Sequence, residues 1–201
     1  MAKIVLYIHG NGGCAGEAEH YRSIFADSKV LGMDYQAQTP WEAVAEFPAL
    51  FDSLSRGADE VWLLANSIGA YFAMNALSER NISRAFFISP VVDMENLIGR
   101  MMQWAGVSEA ELHHQGRIAT DFGEDLSWEY LCYVRQHLVR WEVPTVILYG
   151  RNDNLTDYAV MESFAERHAA ELTVMPGGEH WFHTEEQMRF LDDWLLQAAQ
   201  V

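Results

Sequence analysis

The sequence of 201 residues predicts an α/β domain: a mostly parallel sheet of about six strands with helices on both faces. Two observations lead to this fold class. Short apolar runs rich in β-branched and aromatic residues alternate along the whole chain with segments of helical periodicity. The apolar runs are also nearly continuous, which is typical of parallel strands that are covered on both faces. Half of the residues are hydrophobic, so the chain is long and apolar enough to bury a substantial core.

The predicted strands are short, and the segments between them are long enough for crossover helices. They comprise residues 3–8, 28–34, 61–64, 84–89, 144–149 and 171–175. The second of them has the weakest apolar pattern. The predicted helices lie near residues 15–25, 40–55, 69–80, 157–168 and 185–200. Pro40 opens the second helix, at a position where its missing N–H group costs little.

One segment breaks the alternation of strands and helices. Some fifty residues, 91–143, separate the fourth and fifth strands, which is too many for a simple crossover. We therefore predict a single domain over residues 1–201 with a helical, cap-like insertion at about 94–142. The insertion is rich in Met and aromatic residues, among them Trp128. Two interpretations remain open: a cap whose aromatic side chains wall a substrate pocket, or a helical insertion that covers a sheet face or a dimer contact.

The charge and the cysteines exclude some classes of partner. The formal net charge is -16, with 29 acidic and 13 basic residues, and such a surface repels nucleic acid and anionic lipid. We expect neither a nucleic acid nor a membrane as partner. Cys14 and Cys132 are far apart and form no C-x-x-C motif, which favours a reduced, cytoplasmic protein. The apolar run at the N-terminus is too short for a signal peptide or a membrane span.

The most informative segment is VWLLANSIGA, residues 61–70. A buried-strand pattern runs into Ser67, breaks at Gly69 and is followed at once by a helical pattern, which is typical of a nucleophile elbow. A serine there stands at a helix N-terminus, where developing negative charge is favoured. Ala65 and Gly69 supply the small residues that a close approach of strand and helix requires. The alternative is an Asn-Ser helix cap after a core strand.

Three further strand ends carry polar or glycine-rich loops. Residues 9–13, HGNGG, offer backbone N–H groups that suit an oxyanion, but they lack the lysine of a phosphate loop and the spacing of a dinucleotide site. Asp153 follows the fifth strand, and His180 follows the sixth in a loop that contains glycine. The carboxyl ends of parallel strands share one edge, so we expect these residues to converge on Ser67. An imidazole can then activate the serine while a carboxylate orients the imidazole.

The motifs HGNGG, ANSIG, GRNDNLT and GGEHWF, in this order, resemble those of the α/β-hydrolase superfamily over nearly the whole chain. The resemblance implies an α/β-hydrolase fold, with Ser67 as nucleophile, Asp153 as acid and His180 as base. It also implies an oxyanion hole formed by the backbone N–H groups of Ile68 and of Asn11, or of Gly12. Gly12, Trp128 and Trp181 are predicted to contact substrate. Two departures, Ala65 for the usual glycine and no hairpin before the first strand, predict a compact member.

Each assignment has a rival in the chain. His183 lies three residues after His180, but we expect it to begin the last helix. Asp157 is expected to cap the following helix, and Asp93 follows the fourth strand, where some members of the family carry the acid. Ser89 is set aside because Pro90 has no N–H group to offer an oxyanion. His180 and His183 resemble a pair of metal ligands, but no carboxylate or third histidine has matching spacing, so no metal site is predicted.

These observations together predict a serine hydrolase that cleaves a carboxylic ester, or a related acyl bond, of a small-molecule acyl substrate through an acyl-enzyme intermediate. No cofactor is expected. A thioesterase, amidase or peptidase with the same triad is an alternative, because the fold does not select among these reactions. A second alternative is a non-catalytic ligand-binding protein on a hydrolase fold. The sequence predicts no oligomeric state.

Overall fold

The computed structural model describes residues 2–200, and its central sheet confirms the predicted α/β class. The sheet has six strands, and all of its strand pairs are parallel. Numbered along the chain, these strands are β1 (Lys3–Ile8), β2 (Lys29–Gly32), β3 (Glu60–Asn66), β4 (Arg84–Ile88), β7 (Thr145–Gly150) and β8 (Glu171–Met175). Their order across the sheet is β2-β1-β3-β4-β7-β8.

The strand order places a switch point beside β1. The chain leaves β1 for β2 on one side of it and later returns to β3 on the other side. In the register of the pairing, Ile8 lies opposite Ala65, so the loop after β1 and the turn after β3 begin side by side. Ligands of open parallel sheets bind at such a crevice, beyond the carboxyl ends of the strands.

Helices cover the sheet, and most of them lie where their periodicity predicts. They are α1 (Ala18–Tyr21), α2 (Pro40–Leu54), α3 (Ile68–Ala76), α7 (Tyr158–Arg167) and α8 (Glu185–Ala198). The first is much shorter than predicted and follows one turn of 3-10 helix at Ala15–Glu17. Within the described residues, 2–200, no helix combines the length and apolar character needed to cross a membrane.

The start of α2 shows how local sequence sets a helix boundary. The Thr39 side chain accepts a hydrogen bond from the Glu42 N–H group at 3.3 Å, and the Glu42 carboxylate accepts one from the Thr39 N–H group at 3.0 Å. This reciprocal pair satisfies two N–H groups that the helix itself leaves without partners. Pro40 occupies the first turn, as the sequence predicts.

The core on one face of the sheet consists of alternate strand residues packed against α1, the segment that follows it, and α8. Tyr7, Trp62, Phe86 and Leu148 supply the strand side of this core, and Trp194 the α8 side. Residues on a strand point to the two faces in turn, so the intervening buried residues of β1 and β3 belong to the other face. Because both faces are buried, the strands are apolar throughout and their alternation is hidden in the sequence.

Residues 93–139 form a second compact unit. It contains α4 (Met94–Ala105), α5 (Glu109–Gln115), α6 (Trp128–Gln136) and an antiparallel pair, β5 (Arg117–Ile118) and β6 (Leu126–Ser127). The span is close to that of the predicted insertion. The pair of two-residue strands was not predicted, because two residues are too few to show a period.

Arg135 links the three helices of this unit. Its guanidinium donates to Glu95 Oε1 and to Glu109 Oε1, both at 2.7 Å. The Arg135 hydrogen bond holds the pKa of Glu109 below its ordinary value. These side chains are exposed, so we attribute to them the mutual orientation of the helices rather than much stability.

Candidate active site

Ser67 stands in a strained turn between β3 and α3. Its φ of 51° and ψ of -123° lie in a region that residues other than glycine rarely adopt. The end of β4 and the segment after it hold the turn: the Ser67 N–H group donates to the Ile88 carbonyl at 3.0 Å, and the Ser67 carbonyl accepts from the Val91 N–H group at 3.1 Å. The geometry is that of the predicted elbow, with the serine at its apex and Ile68 as the first residue of α3.

The loop after β1 closes against this elbow. The Gly13 N–H group donates to the Gly10 carbonyl at 3.1 Å, and Gly12 has a φ of 72°, as the third position of a type II turn requires. A Cβ atom on Gly10 would lie 3.2 Å from the Ser67 Cβ atom. Asn11 therefore sits in a tight turn next to Ser67. The Ile68 N–H group, at the helix start, has no acceptor within the helix.

Ser67, His180 and Asp153, the three residues predicted to converge, form one hydrogen-bonded chain. Ser67 Oγ lies 2.8 Å from His180 Nε2, and His180 Nδ1 lies 2.7 Å from Asp153 Oδ2. The Asp153 side chain is fully buried and that of His180 is 14% exposed. A carboxylate accepts only, so Nδ1 donates to Asp153 and Nε2 is left to accept the Ser67 proton.

Backbone groups hold the Asp153 carboxylate in place. Its Oδ1 atom accepts hydrogen bonds from the N–H groups of Leu155 at 2.7 Å and of Thr156 at 3.0 Å. Both donors belong to the loop that follows β7, so this loop holds the carboxylate that it carries. The remaining oxygen, Oδ2, is thereby directed at His180.

The loops that carry Asp153 and His180 are joined through their backbones. The Asn152 N–H group donates to the Gly178 carbonyl at 2.8 Å. A Cβ atom on Gly150 would lie 2.5 Å from Gly178 backbone atoms, too close for any other residue. The glycines in both motifs therefore allow a close approach that sets the spacing of Asp153 and His180.

A cleft of about 770 Å³ opens beside Ser67 and His180. Asn11, Gly12 and Trp181 line it, as would be needed for their predicted roles. Trp181 is 70% exposed, and its ring stacks on His183 with centroids 4.7 Å apart. The Trp181 indole therefore lines the cleft and is not part of the hydrophobic core.

Trp128 lies in the second unit, at the start of α6. Its ring is near that of His113, with centroids 4.6 Å apart, and it is half-buried. The predicted contact between Trp128 and substrate stays a prediction.

The rivals occupy other positions. His183 Nδ1 lies 2.7 Å from the Trp181 carbonyl oxygen. His183 comes directly before Thr184, the N-cap residue of α8, and so lies close to the helix start at which it was predicted. Asp93 caps α4, since its Oδ1 atom accepts from the Asn96 N–H group at 2.9 Å. Asp157 is the N-cap residue of α7, as expected, although its side chain makes no capping hydrogen bond to the helix. Among the residues that the structure describes, no group of three or more His, Cys, Asp or Glu side chains is placed to hold a metal ion.

Sequence reasoning missed Tyr7 and Glu17, which also line the cleft. The Tyr7 hydroxyl, near the carboxyl end of β1, donates a hydrogen bond to Glu17 Oε2. Tyr7 is hidden in the sequence because it belongs to an apolar strand. Glu17 follows the glycine-rich loop by four residues, and only the 3-10 turn brings it back over that loop.

Ser89, which follows β4 next to the elbow, allows a prediction about the free energy of unfolding. It is fully buried, its φ is 43°, and its Oγ atom has no hydrogen-bond partner among the described residues. We expect Ser89→Ala to raise the free energy of unfolding by about 1 kcal/mol, because it removes a buried hydroxyl without a partner. Ser89→Gly should also relieve the backbone strain. Urea denaturation measures both, and a loss of stability in Ser89→Ala would show that the hydroxyl is satisfied through a bound water.

No protein-family model and no curated protein sequence matches the chain. Solved structures do resemble it. Est1E from Butyrivibrio proteoclasticus with ferulic acid bound has a TM-score of 0.78 and 15% identity, over 99% of this chain and 88% of that one. Alpha/beta hydrolase domain-containing protein 10 from mouse has a TM-score of 0.77 and 12% identity, over 98% and 89%.

A third similar structure is a thioesterase domain from the curacin biosynthetic pathway, with a TM-score of 0.60 and 16% identity, over 97% of this chain and 91% of that one. Identities this low carry information about fold and not about substrate. The agreement extends over nearly the full length of each protein, and the strand order, the elbow and the loops at the sheet edge agree with it. The chain has the α/β-hydrolase fold that its motifs predict.

Proposed function

We propose that the chain is a serine hydrolase that cleaves a carboxylic ester through an acyl-enzyme intermediate. The observation that carries the proposal is the hydrogen-bonded chain from Ser67 through His180 to Asp153 at the edge of an open cleft. A serine hydroxyl is a weak nucleophile until a base removes its proton. The strained position of Ser67, which nothing in local helix formation demands, supports a chemical rather than a structural role.

In the first half of the reaction, Ser67 Oγ attacks the acyl carbon while its proton passes to His180 Nε2. The carbonyl electrons move to oxygen, and the backbone N–H groups of Ile68 and Asn11, or of Gly12, stabilise that oxyanion. Each such donor lowers the barrier by about 3 kcal/mol. When the tetrahedral intermediate collapses, the His180 proton goes to the departing alcohol and an ester on Ser67 remains.

The second half repeats these steps with water as the nucleophile. His180, now neutral, takes a proton from the water as it attacks the acyl carbon, and returns that proton to Ser67 Oγ when the free acid leaves. Asp153 stabilises the charged imidazole in both halves. Trp181 and Gly12, which line the cleft, are proposed to contact the acyl or alcohol group of the substrate.

Intact-protein mass spectrometry after treatment with a fluorophosphonate tests the proposal. Attack by an activated serine displaces fluoride and leaves one phosphonyl group on the protein. We expect a single adduct on the wild type and none on Ser67→Ala or His180→Ala. The absence of an adduct on the folded wild-type protein would overturn the enzyme interpretation in favour of a ligand-binding protein.

A panel of matched substrates then selects the reaction. Oxygen esters, thioesters and anilides of the same acyl chain differ only in the leaving group, so their relative kcat/KM values separate an esterase from a thioesterase or an amidase. We expect the oxygen ester to be hydrolysed, and Ser67→Ala to abolish its turnover. A thioester preferred by several orders of magnitude would replace the esterase proposal with the thioesterase alternative.

A further inference from the structure

The cleft that the described residues form contains one carboxylate, that of Glu17, which has no role in the proposed reaction. Glu17 is exposed, yet its side chain lies over the glycine-rich loop: a Cβ atom on Gly13 would be 3.0 Å from both of its carboxylate oxygens. Gly13 closes the turn that contains Asn11, and Gly10 of the same turn lies against Ser67. The carboxylate is therefore held on the same short loop as the proposed oxyanion site.

Tyr7 fixes the Glu17 carboxylate in this position. The Tyr7 hydroxyl donates to Oε2, and burial, with smaller contributions from Tyr21 and Glu17, raises the Tyr7 pKa well above its ordinary value. The hydroxyl therefore remains a donor at any physiological pH. Asn66, the residue before Ser67, interacts with the same hydroxyl. Glu17 is thus linked through Tyr7 to the strand that carries the elbow.

The electrostatic balance of the cleft is negative. Among the described residues that line it, Glu17 is the one carboxylate, and none is Lys or Arg. Two of the histidines that line the cleft are paired with carboxylates that do not line it. His20 Nε2 lies 2.8 Å from Asp192, and His183 Nδ1 lies 3.6 Å from Glu179. Within residues 2–200, Glu17 forms no ion pair with Lys or Arg.

A charge held in this way can recognise an opposite charge. Glu17 lines the same cleft as the exposed indole of Trp181, and the face of an indole attracts cations. The net charge of -16 draws cations toward the protein and repels anions. A carboxylate of the substrate would meet repulsion from both the cleft and the surface.

We infer that the cleft selects esters that carry a positively charged ammonium group, and that Glu17 is the specificity-determining residue that binds this group. The inference rests on the proposed function, since it names a substrate class for the same site. Glu17 acts on substrate selection and takes no part in bond making or breaking.

Two pairs of substrates of matched shape test the inference. The first pair, p-nitrophenyl 6-aminohexanoate and p-nitrophenyl heptanoate, differs by an ammonium in place of a methyl group on the acyl chain. The second pair, choline butyrate and 3,3-dimethylbutyl butyrate, differs by a charged nitrogen in place of a carbon on the alcohol. For each pair, the ratio of kcat/KM for the charged ester to that for the neutral ester is compared between the wild type and Glu17→Gln, so that intrinsic reactivity cancels.

We expect Glu17→Gln to lower this ratio about tenfold in at least one pair, the scale of a charged hydrogen bond in a wet cleft. Glu19→Gln is the matched control, because Glu19 is an exposed carboxylate two residues away that pairs with Arg22 and lies outside the cleft lining. Its ratio should equal that of the wild type. Equal ratios in the wild type and Glu17→Gln for both pairs would overturn the inference.

Binding separates failure of this inference from failure of the proposed function. If the wild-type protein hydrolyses none of the four esters, the fluorophosphonate adduct decides the proposed function, and equilibrium binding of the same pairs decides the role of the cleft. Binding of a charged ester about tenfold tighter than its neutral partner, lost in Glu17→Gln and kept in Glu19→Gln, would support the inference. Equal binding of the two members of each pair would overturn it.

Discussion

His180→Ala is expected to lower kcat/KM for ester hydrolysis by a factor of about 10⁴ to 10⁶. The imidazole is the group placed to remove the Ser67 proton, at 2.8 Å from Oγ, and alanine leaves the hydroxyl without a base. Ser67→Ala should cost a similar factor. The double variant Ser67→Ala/His180→Ala should be no worse than either single variant, because the two side chains act as one unit.

Asp153→Asn tests the third member of the same chain. An asparagine amide that donates to His180 Nδ1 would leave Nε2 protonated, and this tautomer cannot accept the Ser67 proton. We expect kcat to fall by about 10⁴ while the fold is retained, because the Leu155 and Thr156 N–H groups still have an oxygen to bind. Steady-state kinetics and circular dichroism measure the two effects.

The rivals provide the matched controls. Asp93→Asn removes charge from a side chain whose observed role is to cap α4, and His183→Ala removes the neighbouring histidine. We expect each to cost less than tenfold in kcat/KM. A larger loss in Asp93→Asn than in Asp153→Asn, or in His183→Ala than in His180→Ala, would contradict the assigned triad.

Gly69→Ala should produce a large loss of stability for the addition of a single methyl group. A Cβ atom on Gly69 would lie 2.2 Å from the His9 carbonyl oxygen and 2.9 Å from that of Ile8. Both are backbone atoms at the end of β1, so neither can rotate away. We expect the free energy of unfolding to fall by about 4 kcal/mol or more, which far exceeds the gain in helix propensity of up to about 1 kcal/mol.

The same methyl group should also impair the reaction, because it would force α3 away from the loop that carries Asn11. Urea denaturation and the rate of fluorophosphonate labelling measure the two consequences. Gly99→Ala is the control: Gly99 lies in α4, where an added Cβ meets nothing within 4 Å, so it should raise helix stability by about 0.5–1 kcal/mol. A Gly69→Ala protein as stable as the wild type would show that α3 and β1 can separate without cost.

The sequence by itself determined the fold class and the order of the polar strand ends. Both depend on local patterns: apolar runs too continuous for half-exposed strands, glycines where backbones touch, and a serine between a strand and a helix. Parallel pairing then follows from the alternation with helices, and parallel pairing alone places Ser67, Asp153 and His180 at one edge of the sheet. The boundaries of α1 and the β5–β6 pair escaped prediction because segments of two to four residues carry too little periodic signal.

Only the tertiary structure decided which side chains touch. His180 and His183 are only three residues apart, yet His180 alone bonds to both Ser67 and Asp153. The close backbone contact between Gly150 and Gly178 brings the loop of His180 to these two residues. The Tyr7–Glu17 hydrogen bond joins a core strand to a 3-10 turn ten residues later, and no pattern in either segment signals it. A hydrogen bond depends on distances of a few tenths of an ångström, which are set by packing across the sheet, whereas hydrophobic periodicity records only which side of an element is buried.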